Sequence, residues 1–124
     1  SESTRVINIS NPSTSTSCVL RIWLEFSVEN EIDSNYLSLI IDNTNFSVND
    51  NNKYYFNSVL NSGGEINNLV LKFKVNNNLV GDYQGKTYNM KLFIESIQSN
   101  KDAVSEWDDD YSPEWYNKIK NSLS

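Results

Sequence analysis

The sequence predicts an all-β fold: a jelly-roll-like antiparallel β-sandwich that ends in a short C-terminal helix. Several segments alternate apolar and polar residues with the period of two that a half-buried strand requires. The segments between them are rich in Asn and Ser, which favour turns, and a helical pattern appears only at the C-terminal end. The 124 residues fit a single domain, with the sandwich predicted over 1–107 and the helix over 112–123.

The first two predicted strands lie near the N-terminus. Arg5 to Ile9 forms a short strand, and Asn11, Pro12 and Ser13 supply a turn. The second strand, 18–28, has the strongest alternation in the chain, because every second residue from Cys18 onward is apolar. We expect these two strands to form either a β-hairpin or a crossing from one sheet to another.

The later strands are predicted from shorter runs. Apolar runs at 37–41, 46–48 and 54–60 are separated by Asn and Asp clusters, and alternating segments follow at 69–75 and 87–98. We expect the sandwich core, or a groove that receives another strand, to be lined by Leu20, Ile22, Leu24, Phe26, Leu71, Phe73, Met90, Leu92 and Ile94. The alternation does not divide these residues between the two environments.

The C-terminal helix is predicted from its first turn and its apolar spacing. Ser112 is a favourable N-cap residue, and Pro113 suits the first helical position. Trp115, Ile119 and Leu123 recur at every fourth residue, which places them on one face of a helix.

Composition excludes several classes of function. The chain has no His, so the commonest zinc ligand and the commonest general base are missing, and a HExxH zinc protease motif is absent. Its single cysteine, Cys18, excludes an internal disulfide. A net charge of −6 without a basic cluster disfavours nucleic acid and anionic membranes as partners. We therefore expect a protein that is not an enzyme and that uses no cofactor.

Two further groups of residues are candidate binding sites. The acidic run from Glu106 to Asp110 offers carboxylates to a cation, but it lacks the spacing of a calcium loop, so we interpret it as a solvated loop without a metal. Exposed aromatic rings can stack on sugars, and Trp23, Trp107 and Trp115 are the candidate surface aromatics.

Several motifs resemble those of one known family. The segment Tyr83-Gln84-Gly85-Lys86-Thr87-Tyr88, followed by Glu95-Ser96-Ile97-Gln98, Asn100, Ala103 and Trp107, is similar to a pattern near the end of the TasA/camelysin-like proteins. The resemblance is to the clostridial branch of this family, whose members are exported through a SipW-type signal peptidase. Residues 6–12 with Leu20-Arg21, and Tyr54-Tyr55 with Val59-Leu60 and Gly63-Gly64-Glu65, resemble further motifs of the family in the same order. The chain departs from the pattern at Asn61-Ser62 and at Ser96, where the family often has proline and alanine.

The resemblance implies a function in assembly. It implies a secreted, extracellular subunit of a biofilm fibre in a Gram-positive bacterium, which polymerises with other copies of itself or a related subunit. In this family an N-terminal strand of one subunit fills a groove in the next, and the present sequence starts at what resembles the second strand of the family. The alternative function is a carbohydrate-binding or adhesive surface module that uses the exposed aromatics.

Overall fold

A computed structural model describes residues 2–28, 31–32, 37–41, 44–75 and 88–124. Within these ranges the chain forms eight strands and two α-helices. The strands are β1 (Glu2–Ser10), β2 (Cys18–Val28), β3 (Glu31–Ile32), β4 (Leu37–Ile41), β5 (Phe46–Val48), β6 (Tyr54–Phe56), β7 (Glu65–Val75) and β8 (Tyr88–Gln98). The helices are α1 (Lys101–Ser105) and α2 (Pro113–Ile119), and a 3₁₀ turn follows at Lys120–Ser122.

The strands form two antiparallel sheets. The three-stranded sheet has the order β1-β7-β4. In the five-stranded sheet β2 is central: β3 and β6 pair with one edge of it, β5 pairs with β6, and β8 pairs with β2 along its full length. The predicted fold class, an all-β sandwich with a short C-terminal helix, is confirmed.

The structure resolves the relation between the first two strands. β1 belongs to the three-stranded sheet and β2 to the five-stranded sheet, so the turn between them is a sheet-to-sheet crossing and not a hairpin. Asn11 fixes this crossing, because its buried side-chain amide lies 2.8 Å from the carbonyl oxygen of Thr16 and 3.2 Å from those of Leu60 and Asn61. One side chain therefore ties the crossing to the loop that precedes β7.

The inner core lies between the two sheets. Alternation places the apolar side chains of β2, β4 and β7 on the facing surfaces. The buried residues of this inner core are Leu20, Ile22, Leu39, Ile41, Leu60, Ile66, Leu69, Leu71 and Phe73.

An outer core lies on the opposite face of the five-stranded sheet, where the helices pack. Its buried residues are Val19, Tyr55, Val104, Trp107, Trp115 and Ile119. Ser112 caps α2 by accepting a hydrogen bond from the Trp115 amide at 3.2 Å, and the Trp115 indole donates to the Phe56 carbonyl at 2.7 Å. The sequence interpretation of Trp107 and Trp115 as surface aromatics is wrong: they are 5% and 0% exposed, because both rings are needed to cover the outer face of the sheet.

Candidate functional site: an open seam between strands β1 and β8

Two edge strands define the candidate site. In the part of the chain that the structure describes, β1 pairs only with β7, and β8 pairs only with β2. Each strand therefore has one edge whose backbone N–H and C=O groups face no described strand. Unpaired edges of this kind readily accept an additional strand.

The opposite side of the sandwich carries a contact between the two sheets, although β5 also has an edge there without a described partner and its Val48 is 47% exposed. The Tyr54 hydroxyl on β6 donates a hydrogen bond of 2.9 Å to the Leu39 carbonyl on β4, so these strands of the two sheets lie against each other. Beside them, the rings of Phe46 and Phe56 pack with centroids 5.3 Å apart. Because β1 lies at the far edge of its sheet from β4, and β8 at the far edge from β6 and β5, the edges of β1 and β8 flank the other side. We call this side the seam.

The seam exposes apolar side chains that point toward the interior. On β8, Met90 pairs with Phe26 and Ile94 pairs with Ile22, and directly paired residues share one face of a sheet. Phe26 and Ile22 are 1% and 0% exposed, whereas Met90 and Ile94 are 43% and 46% exposed. The interior face of the five-stranded sheet is thus covered at β2 and uncovered at β8.

The β1 side of the seam combines one apolar and one charged side chain. Ile7 is half-buried and packs against the inner core, and it pairs with the buried Leu69. Arg5 pairs with the buried Leu71 and is itself exposed. The positive charge therefore lies on the interior face of β1, next to buried apolar residues.

The nine residues predicted to line the core or a groove fall into three groups. Those in the interior are Leu20, Ile22, Phe26, Leu71 and Phe73. Leu24 and Leu92 are half-buried and pack against the inner core. Met90 and Ile94 lie at the seam and not in the core, because the three-stranded sheet does not cover β8 at these positions.

A polar cluster joins β2, β6 and the segment before α2 on the other face of the five-stranded sheet. The Arg21 guanidinium donates to the Asp110 carboxylate at 3.0 Å and to the Tyr55 hydroxyl at 3.1 Å, and it pairs with Glu95 on β8. Tyr55 in turn donates to Asp110 at 2.7 Å. Lys53 completes the cluster with its ammonium 3.1 Å from the same carboxylate.

The cluster shifts the pKa values of its members. Burial would raise the pKa of Asp110, but the hydrogen bonds from Tyr55 and Lys53 outweigh burial and hold that pKa below its ordinary value. Burial and the bond to Asp110 raise the pKa of Tyr55 far above its ordinary value. At neutral pH the cluster therefore contains an ionised carboxylate and a neutral phenol. The Asp110 carboxylate is thus paired with Arg21 and Lys53 within the fold.

Trp23 is the third candidate surface aromatic, and it lies on the same face as the polar cluster. Its ring stacks on Phe93 with centroids 5.3 Å apart and an interplanar angle of 9°. The Lys53 ammonium lies 4.8 Å from the centroid of the Trp23 ring, and the Arg21 guanidinium lies 5.4 Å from it. The Trp23 ring is thus stacked on Phe93 and contacted by two cations. Of the three candidate surface tryptophans, Trp107 and Trp115 are buried in the outer core.

The acidic run divides into two parts. Asp108 and Asp109 are exposed, as expected for a solvated loop. Asp110 turns inward to Arg21 and is only 18% exposed, so the solvated-loop interpretation is wrong for this residue. Among the described residues, no three or more Cys, Asp or Glu side chains lie together in a group that could hold a metal ion.

Sequence reasoning missed two features of this face. The Arg21 to Asp110 contact joins residues 89 positions apart, and a single sequence carries no signal for such a pair. Helix α1 did have a signal: the Asn100 side chain accepts from the Ala103 amide at 2.8 Å, and Asn is a preferred N-cap residue. Neither α1 nor any other helix of the described ranges has the length and apolar character needed to cross a membrane.

No protein-family model, curated protein or solved structure matches this chain. The resemblance to TasA/camelysin-like proteins therefore stays a prediction. Residues 83–87, which carry part of that resemblance, lie outside the described residues.

Proposed function

We propose that this chain is a structural subunit of an extracellular fibre and that its seam accepts an extended strand from a neighbouring subunit. The single observation that supports the proposal is the pair of seam residues Met90 and Ile94, which face the interior and yet stay exposed. An inserted strand covers both side chains and pairs with an edge that has no described partner. The location outside the cell and the biofilm role come from the sequence resemblance alone.

Burial of the exposed seam residues contributes hydrophobic free energy to the binding of a strand. Complete burial of an Ile or Met side chain contributes about 1.5–3 kcal/mol. Because Met90 and Ile94 are a little under half exposed, covering them contributes about 0.7–1.4 kcal/mol each. The apolar side chains of the incoming strand add their own full burial. For a persistent contact, these apolar contributions and the backbone pairing together must exceed the cost of ordering the strand.

The proposal is tested by a pair of matched substitutions. Ile94 in the seam and Ile40 on the outer face of the three-stranded sheet are both isoleucines in strands, and both are 46% exposed. We expect Ile94→Lys to suppress assembly of the purified chain, and Ile40→Lys to leave it unchanged. Assembly is measured by analytical ultracentrifugation and negative-stain electron microscopy over a range of concentrations.

Hydrogen exchange locates the contact independently. Upon assembly, backbone amides on the free edges of β1 and β8 gain protection, and amides of β5 do not. Equal suppression by both lysine variants contradicts the assignment of the seam. A chain that stays monomeric at every concentration and also binds no extended peptide overturns the proposed function.

A further inference from the structure

We infer that the strand accepted by the seam carries an acidic residue opposite Arg5, between apolar residues at alternating positions. This inference rests on the proposed function and specifies the partner of the same site. It concerns the chemistry of the incoming strand: a short extended peptide segment with apolar side chains at every second position and one Asp or Glu among them.

The inference starts from the position of Arg5. Strand alternation places Arg5 on the same face of β1 as Ile7, toward the interior. Among the strand residues whose side chains the structure describes, Arg5 is the only charged residue on the interior faces of the two sheets. It has no ion pair with any described residue.

An occupant of the seam changes the surroundings of this charge. While the seam is open, water solvates the exposed guanidinium. A strand lying alongside β1 removes part of that water, and a desolvated cation without a partner is unfavourable. A carboxylate on the incoming strand restores the lost interactions through charge-assisted hydrogen bonds to the planar guanidinium.

The apolar requirement follows from the neighbours of Arg5. Ile7 lies two residues further along the same face, and Met90 and Ile94 lie on the facing edge of the other sheet. Because the side chains of a strand alternate, apolar residues two positions from the carboxylate meet these surfaces. The nine residues of β1 set the length of the segment.

β1 of a second copy does not meet this description. Its interior face carries Ser3, Arg5 and Ile7, with no carboxylate among them. Pairing two β1 edges would also place two guanidinium groups in one seam, and like charges brought together in this way are repelled. The seam therefore selects a segment other than β1.

The test uses fluorescently labelled peptides of about the length of β1, with Val at alternating positions for strand pairing. Three versions differ at one inward-facing central position, which is Glu, Gln or Lys. Their dissociation constants are measured by fluorescence anisotropy with the wild-type chain, Arg5→Glu, Lys74→Glu and Ile94→Lys. Lys74→Glu is the matched control, because it makes the same charge change on the same sheet at an exposed position.

The wild-type chain is expected to bind the Glu peptide about tenfold more tightly than the Lys peptide, equivalent to about 1.4 kcal/mol. Arg5→Glu reverses this order and Lys74→Glu keeps it. Ile94→Lys removes an apolar contact and adds a cation to the seam, so it weakens binding of the Gln and Lys peptides. The net charge of −6 favours the Lys peptide in the absence of a local effect, so a preference for Glu identifies a local cation.

The other outcomes separate the two proposals. Binding of all three peptides with equal affinity refutes the acidic requirement and leaves a strand-accepting seam. Absence of binding by every peptide to a chain that stays monomeric refutes the strand-accepting seam itself. Self-association of the chain that excludes the peptides, and that Arg5→Glu does not weaken, identifies an occupant without an acidic residue opposite Arg5 and refutes the inference.

Discussion

Replacing Tyr55 with Phe tests whether the polar cluster stabilises the fold through a charged hydrogen bond. The side chain is buried, and its hydroxyl donates to Asp110 at 2.7 Å and accepts from Arg21 at 3.1 Å. The substitution removes one oxygen and keeps the ring, whose centroid lies 4.9 Å from that of Trp115. Since both partners are ionised, we expect a loss of about 2 kcal/mol in the free energy of unfolding.

The neighbouring residue provides the control. The Tyr54 hydroxyl donates to the neutral Leu39 carbonyl and also hydrogen-bonds with the neutral backbone of Ile41, and it points to the opposite face of the sheet. Tyr54→Phe is expected to cost about 1 kcal/mol. Both variants are measured by urea denaturation at neutral pH, and by thermal unfolding, where each 1 kcal/mol corresponds to roughly 3–5 °C for a chain of this size.

The pH dependence separates the two variants further. Because the pKa of Asp110 lies below its ordinary value in the folded chain, its contribution to stability is present above the ordinary pKa of about 4. That contribution is lost as the pH falls through the folded pKa. Tyr55→Phe removes a bond to the carboxylate, so the variant has less stability to lose on acidification. The gap between wild type and Tyr55→Phe therefore narrows below about pH 4.

Two results would refute this reasoning. Equal losses for Tyr54→Phe and Tyr55→Phe at neutral pH would mean that the charges of Arg21 and Asp110 add nothing to the bond. Parallel pH profiles for wild type and Tyr55→Phe would mean that the hydroxyl does not act on the pKa of Asp110.

Two further substitutions test the sheet crossing and the outer core. Asn11→Ala removes the amide that reaches three carbonyl groups. It should lower the free energy of unfolding, measured by urea denaturation, by about 2 kcal/mol. The control Asn67→Ala loses one exposed contact to Glu65 and should change this free energy by less than about 0.5 kcal/mol. Trp115→Phe removes the 2.7 Å bond to the Phe56 carbonyl and leaves a void in the outer core, so we expect a loss of about 2–4 kcal/mol by the same assay. An unchanged unfolding midpoint in Asn11→Ala or Trp115→Phe would contradict the assigned role.

The strands could be predicted because each has a local signal. The alternation over 18–28 matches β2 at both ends, and the runs at 37–41 and 46–48 match β4 and β5. The predicted helix over 112–123 contains α2 and the following 3₁₀ turn. In each case the burial of one face dictates the residue pattern, so the pattern identifies the element.

The seam could not be predicted, because its exposure depends on which strands of one sheet lie over which strands of the other. Met90 and Ile94 lie on the same face of an alternating segment, in the same way as Ile22 and Leu24 do. Only the sheet order shows that β2 is central and β8 is an edge. The burial of Trp107 was missed for a related reason, since its partner surface is formed by Tyr55 and Arg21, which are distant in sequence.

The pairing of β2 with β8 has a consequence for the rate of folding. Arg21 contacts Glu95, which lies 74 residues later in the chain, so the longest strand pair of the five-stranded sheet forms only after a large loop has closed. Pairings of this separation slow folding to roughly the millisecond-to-second range. During this interval the edge of β2 that pairs with β8 has no partner, and one face of the strand is apolar at every second residue. We therefore expect this chain to misassemble less when it folds at low concentration, because other copies then seldom meet the unpaired edge of β2.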